Sequence, residues 1–348
     1  MRQGESSLPQ RQRPRGAYLH SAYFYILCAT FSGKCPLMRH KICLNHGPAC
    51  GGVLWLWAYL ASARKAPAPQ PKMTFEPRQL SPDTTQPPRA VGQAMLSVKK
   101  TDAGSGIDRL RTSGALKLLF PRRQNALEAL LINTAGGVTG GDQLHLQAAV
   151  GAGANLCLTT QAAERAYRAK ADIGRVSSHL QVGPGACLHW LPQELIIFEG
   201  AAFHRQLHID MAEDARLLLV EPVIFGRAAM GETLQSAQFF DQISINRAGR
   251  PLYHDAIRLS GAIQQQLNQP AVAAGGTAIA CVVYVAPDAA ALVAQVRAGL
   301  PATGGASLLG PDMLVIRLVA ADGFGLRQFL LPLLDQLSGN TLPVSWRL

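Results

Sequence analysis

The sequence contains no apolar run near the roughly 18 residues that a membrane-spanning helix needs, so no such helix is expected. It also lacks the Gly-x-Ser-x-Gly motif of serine hydrolases and the cysteine pairs two to four residues apart that commonly hold zinc. These absences argue against a transmembrane protein, a serine hydrolase and a zinc enzyme.

Net positive charge is nearly absent from most of the chain, although the whole sequence has a formal net charge of +11. Residues 1–72 contain ten Lys or Arg and one Glu, whereas residues 73–348 contain 23 Lys or Arg and 21 Asp or Glu. Because the longer part is close to neutral and has no basic stripe, nucleic-acid binding is not expected.

Residues 1–72 differ in composition from the rest and end in the proline-containing linker 66–71. One interpretation is a signal peptide that begins at Met38 and ends at the small-residue stretch 61–63. The favoured interpretation is that Met73 is the true start, because the composition changes abruptly there. We therefore expect residues 1–72 to be a non-native or disordered extension and residues 73–348 to form the functional domain.

Short, alternating apolar runs between residues 93 and 260 predict β-strands, with glycine- and proline-containing breaks between them. No sequence repeat is present, so a regular solenoid is not favoured. Further on, Asp288 is placed to cap a helix over residues 289–298, and residues 313–319 read as an apolar strand. Apolar residues from Leu326 to Leu337 predict a second helix, which Pro332 should kink or restart. The predicted fold is mainly β, with stacked sheets in one large body and about two helices toward the C-terminus.

A glycine-rich loop, Leu-Ile-Asn-Thr-Ala-Gly-Gly-Val-Thr-Gly-Gly-Asp, occupies residues 131–142. A phosphate-binding loop requires Lys and Ser or Thr after its last glycine and then a helix, but here Asp142 is followed by a strand-like stretch. A tight turn between two strands is therefore favoured over a phosphate site. The glycines at 136, 137, 140 and 141 are expected to permit the backbone shape.

Three more motifs follow the glycine loop: Thr-Thr-Gln-Ala-Ala at residues 159–163, Trp-Leu-Pro-Gln-Glu at 190–194, and Phe-Gly-Arg-Ala-Ala-Met-Gly-Glu at 225–232. In this order the four motifs resemble the urease accessory protein UreD family, called UreH in some organisms. The resemblance covers most of residues 93–260, is looser over 261–348 and does not include 1–72. It implies a fold of stacked β-sheets with a couple of helices.

The resemblance implies a cytoplasmic chaperone rather than an enzyme. Members of this family bind apo-urease and recruit a UreF-type partner, which recruits a UreG-type GTPase. The assembly helps to install two nickel ions beside a carbamylated lysine in urease. On this basis we expect no tightly bound cofactor, nickel only in transit, and no nucleic-acid or membrane partner. A metal-dependent hydrolase and a secreted β-rich binding protein remain as alternatives.

Four carboxylates next to strand-like segments are candidates for a path along which nickel passes: Asp142, Glu164, Glu194 and Glu221. Structural roles are the alternative for three of them: Asp142 can cap its own turn, Glu164 can pair with Arg165, and Glu194 can tie down the turn at Pro192. The motif residues expected to be structural are Gly136, Gly137, Gly140, Gly141, Thr160, Gln161, Trp190, Pro192, Gln193, Gly226, Arg227, Gly231 and Glu232.

Histidines and cysteines are weaker candidates for metal ligands. His204 and His208 lie on one face of a predicted strand about 13 Å apart, too far to share one ion. Cys187 and His189 are two residues apart on one strand face and can contact a metal, although a buried apolar cysteine is the favoured interpretation. The other cysteines expected to be buried are Cys157 and Cys281.

Overall fold

The computed structural model describes residues 88–122 and 126–347, which belong to one compact unit. The predictions for residues 1–72 and for a start at Met73 fall outside this range and stay predictions. The described part consists of two β-sheets and a helical layer. None of its helices is both long and apolar enough to cross a bilayer.

In the described residues the first sheet has seven strands. Its four inner strand pairings are parallel, and the pairing at each edge is antiparallel. In spatial order these strands are β14 (Arg250–Gly261), β13 (Ala237–Arg247), β11 (Ala202–Met211), β8 (Gly174–Val182), β5 (Gln143–Val150), β1 (Val91–Thr101) and β2 (Gly104–Gly114). One face of this sheet is buried, as the strict alternation along β1 indicates.

The second sheet has parallel pairings in its centre and antiparallel ones toward both edges. In spatial order its strands are β16 (Gly304–Leu309), β17 (Met313–Ala320), β15 (Ala278–Val285), β12 (Arg216–Phe225), β9 (Cys187–Leu191), β6 (Asn155–Thr160), β4 (Leu127–Asn133) and β3 (Leu116–Leu119). Two short strands, β7 (Glu164–Ala166) and β10 (Leu195–Ile197), pair with each other, and β10 also pairs with β12.

From β4 to β13 the chain passes back and forth between the two sheets, so that successive crossings stack in parallel. The chain thus coils like a solenoid, although the lack of a sequence repeat argued against a regular one. The crossings differ in length and two of them contain the extra strands β7 and β10. Coils of unequal length carry no fixed repeat, which is why the pattern is invisible in the sequence.

Two apolar layers hold the fold together. One lies between the sheets and includes Leu96, Leu180 and Leu219. The other lies between the second sheet and the helices and includes Leu218 and Leu330. Because β12 contributes to both layers, all but two of its residues are buried and its sequence is almost continuously apolar.

The helices of the described residues are α1 (Ile263–Leu267), α2 (Ala289–Gly299) and α3 (Gly323–Ser338), with 3₁₀ turns at Ala228–Met230 and Val344–Arg347. The mainly β prediction with helices toward the C-terminus is confirmed. Asp288 does precede α2, but its carboxylate accepts a hydrogen bond from the Tyr284 hydroxyl instead of capping the helix. Pro332 neither breaks nor restarts α3, because the buried leucines on both sides of it hold the helix against the second sheet.

Candidate functional site

The four sequence motifs meet along a short ribbon of backbone hydrogen bonds. The main-chain N–H of Val138 in the glycine loop donates to the Arg165 carbonyl at 2.7 Å, and the Tyr167 N–H returns a bond to Val138. The strand that contains Arg165, β7, pairs with β10, and the Gly226 N–H donates to the carbonyl of Ile197 in β10. Motifs far apart in sequence are therefore adjacent at one end of the two sheets.

The glycine loop is a crossover rather than a hairpin turn, because it leaves β4 in the second sheet and enters β5 in the first. A Cβ atom on Gly140 would lie 2.0 Å from the Ala171 carbonyl oxygen, and one on Gly137 would lie 2.2 Å from the Tyr167 ring. Gly136 and Gly141 have φ angles of 75° and 87°. Close packing therefore requires glycine at 137 and 140, and backbone conformation favours it at 136 and 141.

Asp142 closes the glycine loop and is buried. Its Oδ1 accepts a hydrogen bond from the Ala90 N–H and its Oδ2 accepts one from the Thr139 N–H, each at 2.8 Å. Both carboxylate oxygens are thus bound by main-chain donors, as expected for an aspartate that caps its own turn. Asp142 does not line the cavity described next.

A cavity of about 280 Å³ lies between the two sheets beside the motif ribbon. Its inner walls come from both sheets and are mostly apolar apart from a few polar residues such as Arg205 and Glu221, whereas exposed Gln161 and Arg165 stand at its outer end. Of the four carboxylates proposed for a nickel path, the structure brings Glu164 and Glu221 to this cavity and leaves Asp142 and Glu194 outside it. Of the motif residues expected to be structural, those that line it are Gly136, Thr160, Gln161, Trp190, Pro192 and Gln193.

Glu221 is the most deeply buried acid on the cavity wall and takes part in an ion cluster that joins the sheets. Its Oε1 accepts a hydrogen bond from Trp190 Nε1 at 2.7 Å. Its Oε2 lies 2.5 Å from Arg205 Nη1, but at an angle that makes an ion pair and not an aligned hydrogen bond. Arg205 also binds Asp241 through two hydrogen bonds of 2.9 and 2.6 Å. Burial raises the pKa of Glu221; Arg205 opposes this effect and the nearby charge of Asp241 adds to it.

Glu164 lines the cavity nearer its outer end. Its Oε2 accepts a hydrogen bond from Asn133 Nδ2 at 3.1 Å, and its Oε1 accepts one from the Arg165 N–H at 3.0 Å. The bond to Arg165 is therefore made by the main chain and not by a side-chain ion pair. Burial raises the pKa of Glu164, although these two hydrogen bonds act in the opposite direction.

The Trp-Leu-Pro-Gln-Glu motif is tied to the C-terminal part of the chain through Arg327 of α3. Arg327 Nη1 donates to Gln193 Oε1 at 3.0 Å and to Glu194 Oε1 at 2.8 Å, and its Nη2 donates to the Trp346 carbonyl. The Gln193 N–H donates to Thr160 Oγ1, which links this motif to the preceding one. Glu194 thus has a structural partner, whereas the buried Nε2 of Gln193 has none among the described residues.

The fourth motif forms a closed loop after β12. Gly226 has a φ angle of 82°, and a Cβ there would lie 3.1 Å from the Glu232 carbonyl oxygen. Arg227 Nε and Nη2 donate to the two carboxylate oxygens of Glu232 at 3.0 and 2.7 Å. The Arg227 guanidinium also lies 4.4 Å from the centre of the Phe198 ring, and Gly231 ends the 3₁₀ turn with a φ angle of 64°. Four residues of this motif, Gly226, Arg227, Gly231 and Glu232, thus make local contacts or adopt turn conformations within the loop.

Sequence reasoning missed three cations and acids of this region: Arg205, Asp241 and Arg327. Two of them carry a signal in the strand pattern. Arg205 lies between inward-facing Phe203 and Leu207, and Asp241 occupies the inward phase of β13, so alternation places both on the buried face. A charged residue at such a position needs a buried partner. Arg327 has no comparable signal in the sequence.

The predictions for histidine and cysteine can also be placed. Among the described residues, one group of three potential metal ligands comes together, and it consists of His179, His208 and Asp210 on the first sheet. Cys187 and His189 are not part of any such group. The burial expected for the remaining two cysteines is confirmed for Cys157 and Cys281.

Comparison with known proteins gives the family of this chain. The family model described as "UreD urease accessory protein" matches residues 90–346. Urease accessory proteins UreD of Roseobacter denitrificans and of a Ruegeria species are 50% and 52% identical over 75% and 76% of this chain, and over 96% and 92% of their own lengths. The UreD of Rhizobium etli is 42% identical over 76% of this chain and 97% of its own length. These relatives are named as accessory proteins and not as enzymes, and the chain belongs to the UreD family of urease accessory proteins.

Proposed function

We propose that this protein is a metallochaperone scaffold for urease maturation that acts in the cytoplasm. In this proposal it binds apo-urease, works with UreF-type and UreG-type partners, and lets nickel pass during assembly of the urease metallocentre. Nickel is cargo here and not a resident cofactor. Family membership and the cavity between the sheets support the proposal.

The observation that carries the nickel path is the pair of acids on the cavity wall. Carboxylate oxygens can hold a divalent ion, and an ion in transit must be held weakly enough to leave. Glu221 already shares its charge with Arg205 and Trp190, which weakens its hold on a further cation. Its Oε2 faces the same guanidinium at 2.5 Å, so a passing ion would have to compete with Arg205 for this oxygen.

Burial also raises the pKa of both Glu164 and Glu221, so each carboxylate takes up a proton more readily than it would in water. Competition between a proton and a cation for the same oxygens would help to keep a passing ion weakly held.

The test uses carboxylate-to-amide changes, which keep side-chain size and remove charge. Glu164→Gln and Glu221→Gln are compared with Glu213→Gln, a matched change at an exposed turn position. Each variant is expressed with the urease operon, and three quantities are measured: co-purification with the partners, nickel content of the urease, and urease activity. We expect both cavity variants to lower nickel content while the complex stays intact, and Glu213→Gln to change neither.

Two results separate a nickel path from a structural role. If urease matured with a Glu164→Gln, Glu221→Gln double variant contains normal nickel, the path proposed here is wrong. If nickel content falls only in proportion to the amount of complex recovered, the two acids maintain the fold or the interface and do not conduct the ion. Absence of co-purification with any urease subunit or partner would contradict the scaffold role itself.

The described residues give little support to a metal-dependent hydrolase. A catalytic metal needs about three fixed protein ligands and an open position. In the cavity two acids are available, and Glu221 is already paired with Arg205. The alternative of a secreted protein depends on residues 61–63, which lie outside the described part.

A further inference from the structure

The outer face of the first sheet is rich in histidine. Six histidines occur in the described part of the chain, and five of them occupy outward positions of this sheet. They are His145 on β5, His179 on β8, His204 and His208 on β11, and His254 on β14. This face points away from the cavity, because the intervening residues of the same strands are buried between the sheets.

Parallel pairing brings three potential ligands together on this face. His208 and Asp210 are two residues apart on β11, and His179 of β8 is the direct neighbour of His208 in the register of the two strands. His179 Nε2 lies 2.9 Å from Asp210 Oδ2, and His208 Nε2 lies 3.1 Å from the same oxygen. The three ligand atoms all lie within 4.8 Å of one another.

These distances are close to those around a bound metal. Imidazole nitrogens and carboxylate oxygens lie about 2.0–2.2 Å from zinc-like ions, so ligands of one ion are about 3–4 Å apart. Two of the three separations are already about 3 Å, and the third needs only a small rotation of a half-exposed imidazole. The site is open on one side, since each of the three side chains is more than two-fifths exposed.

A fourth residue orients the carboxylate. Asn246 of β13 is paired with Asp210 in the strand register, and its Nδ2 donates to Asp210 Oδ1 at 3.0 Å. This bond holds one oxygen and turns the other toward His179. The carboxylate is thus fixed in orientation, as a metal ligand requires.

We propose that His179, His208 and Asp210 form a surface site for a divalent transition-metal cation such as Ni²⁺ or Zn²⁺. Two imidazoles select for these ions over Mg²⁺ and Ca²⁺, which prefer shells made of oxygen ligands. In this site the metal lies between the two imidazole Nε2 atoms and the carboxylate. The site lies on the opposite side of the first sheet from the cavity and does not depend on the proposed nickel path.

The test measures Ni²⁺ binding to the full chain by calorimetry, with Mg²⁺ as the control cation. His179→Ala and His208→Ala each remove one ligand, and Asp210→Asn removes the charge. The matched control is His254→Ala, because His254 lies on the same sheet face, bonds to Ser244 and is outside the cluster. We expect each cluster variant to weaken binding at this site at least about tenfold, and His254→Ala to leave it unchanged.

Thermal unfolding separates a metal site from a merely structural cluster. Ni²⁺ should raise the melting temperature of the unaltered protein and of His254→Ala more than that of His208→Ala. If the cluster variants bind Ni²⁺ with unchanged affinity and stoichiometry, whether or not their stability falls, the site proposed here does not exist. Glu164→Gln and Glu221→Gln should leave this binding intact, so a failed nickel path and a failed surface site give different results.

Discussion

Removal of the Arg205 side-chain charge is the sharpest test of the ion cluster between the sheets. The guanidinium joins Glu221 of the second sheet to Asp241 of the first, and the three side chains are only 11%, 2% and 7% exposed. Arg205→Met keeps an unbranched apolar side chain at this position but removes the guanidinium, so two buried acids lose their cation. Breaking a buried ion pair from one side costs about 3–5 kcal/mol. This is a large part of the roughly 5–15 kcal/mol by which folded domains are stable.

Two companion variants identify the cause of the loss. Arg205→Lys keeps the charge but cannot make the paired hydrogen bonds to Asp241, so its stability should lie between those of Arg205→Met and the unaltered protein. Adding Glu221→Gln and Asp241→Asn to Arg205→Met removes both orphaned charges and should restore much of the lost stability.

The assay is urea unfolding of the full chain, followed by tryptophan fluorescence and circular dichroism. Trp190 donates a hydrogen bond to Glu221 and therefore reports on the cluster directly. An Arg205→Met variant that loses less than about 1 kcal/mol would refute the reasoning, since that is the range of a solvent-exposed pair. Failure of the triple variant to recover would show that the loss in Arg205→Met does not come from the two unpaired charges.

Three further predictions concern neighbouring parts of the structure. Gly140→Ala should destabilise the protein by at least about 1–3 kcal/mol because its new Cβ meets a main-chain oxygen, whereas Gly305→Ala, with open space around it, should stay within about 0.5 kcal/mol in the same unfolding assay. Arg327→Gln should cost about 1–3 kcal/mol by leaving buried acceptors unpaired, while Arg347→Gln, which breaks an exposed pair, should cost no more than about 1 kcal/mol. Because the folded-state pKa of Glu221 is raised, protonation of Glu221 stabilises the folded state. This contribution is fully present at low pH and is lost as the pH rises above 4.5, the ordinary pKa of a glutamate, and through the raised pKa. The stability of the unaltered protein relative to Glu221→Gln should therefore fall with rising pH, and a rise would contradict the shift.

Strand alternation and helix periodicity were sufficient to predict the kind of fold. The helix predicted over residues 289–298 is observed as Ala289–Gly299, and the strand predicted over 313–319 is observed as Met313–Ala320. Alternation states which face of a strand is buried but not which strand lies beside it. The coiling of the chain between the two sheets could therefore not be predicted from alternation.

Of the four carboxylates predicted for a nickel path, two line the cavity and two do not, and this difference has a physical cause, while the path itself stays a prediction. A carboxylate beside a strand can point inward or bind the nearest donor, and short-range sequence cannot decide between the two. Asp142 is bound by the Thr139 N–H of its own loop, as the turn-capping alternative described, and by the Ala90 N–H, which lies just before β1. Glu194 is bound by Arg327, which is 133 residues away in the sequence. The sequence around Glu194 contains no pattern that predicts a partner so far away in the chain.

Glu221, one of the two acids that reach the cavity, is placed there by the order of the strands. Arg205, Glu221 and Asp241 lie on three successive long strands, β11, β12 and β13, and the chain changes sheet at each step. The middle strand therefore faces the other two across the interior, and one inward residue from each can meet at the same level. A buried charge on any one of them would be costly without the other two. The cavity acid Glu221 thus owes its position to Arg205 and Asp241, neither of which belongs to a motif that reveals the family.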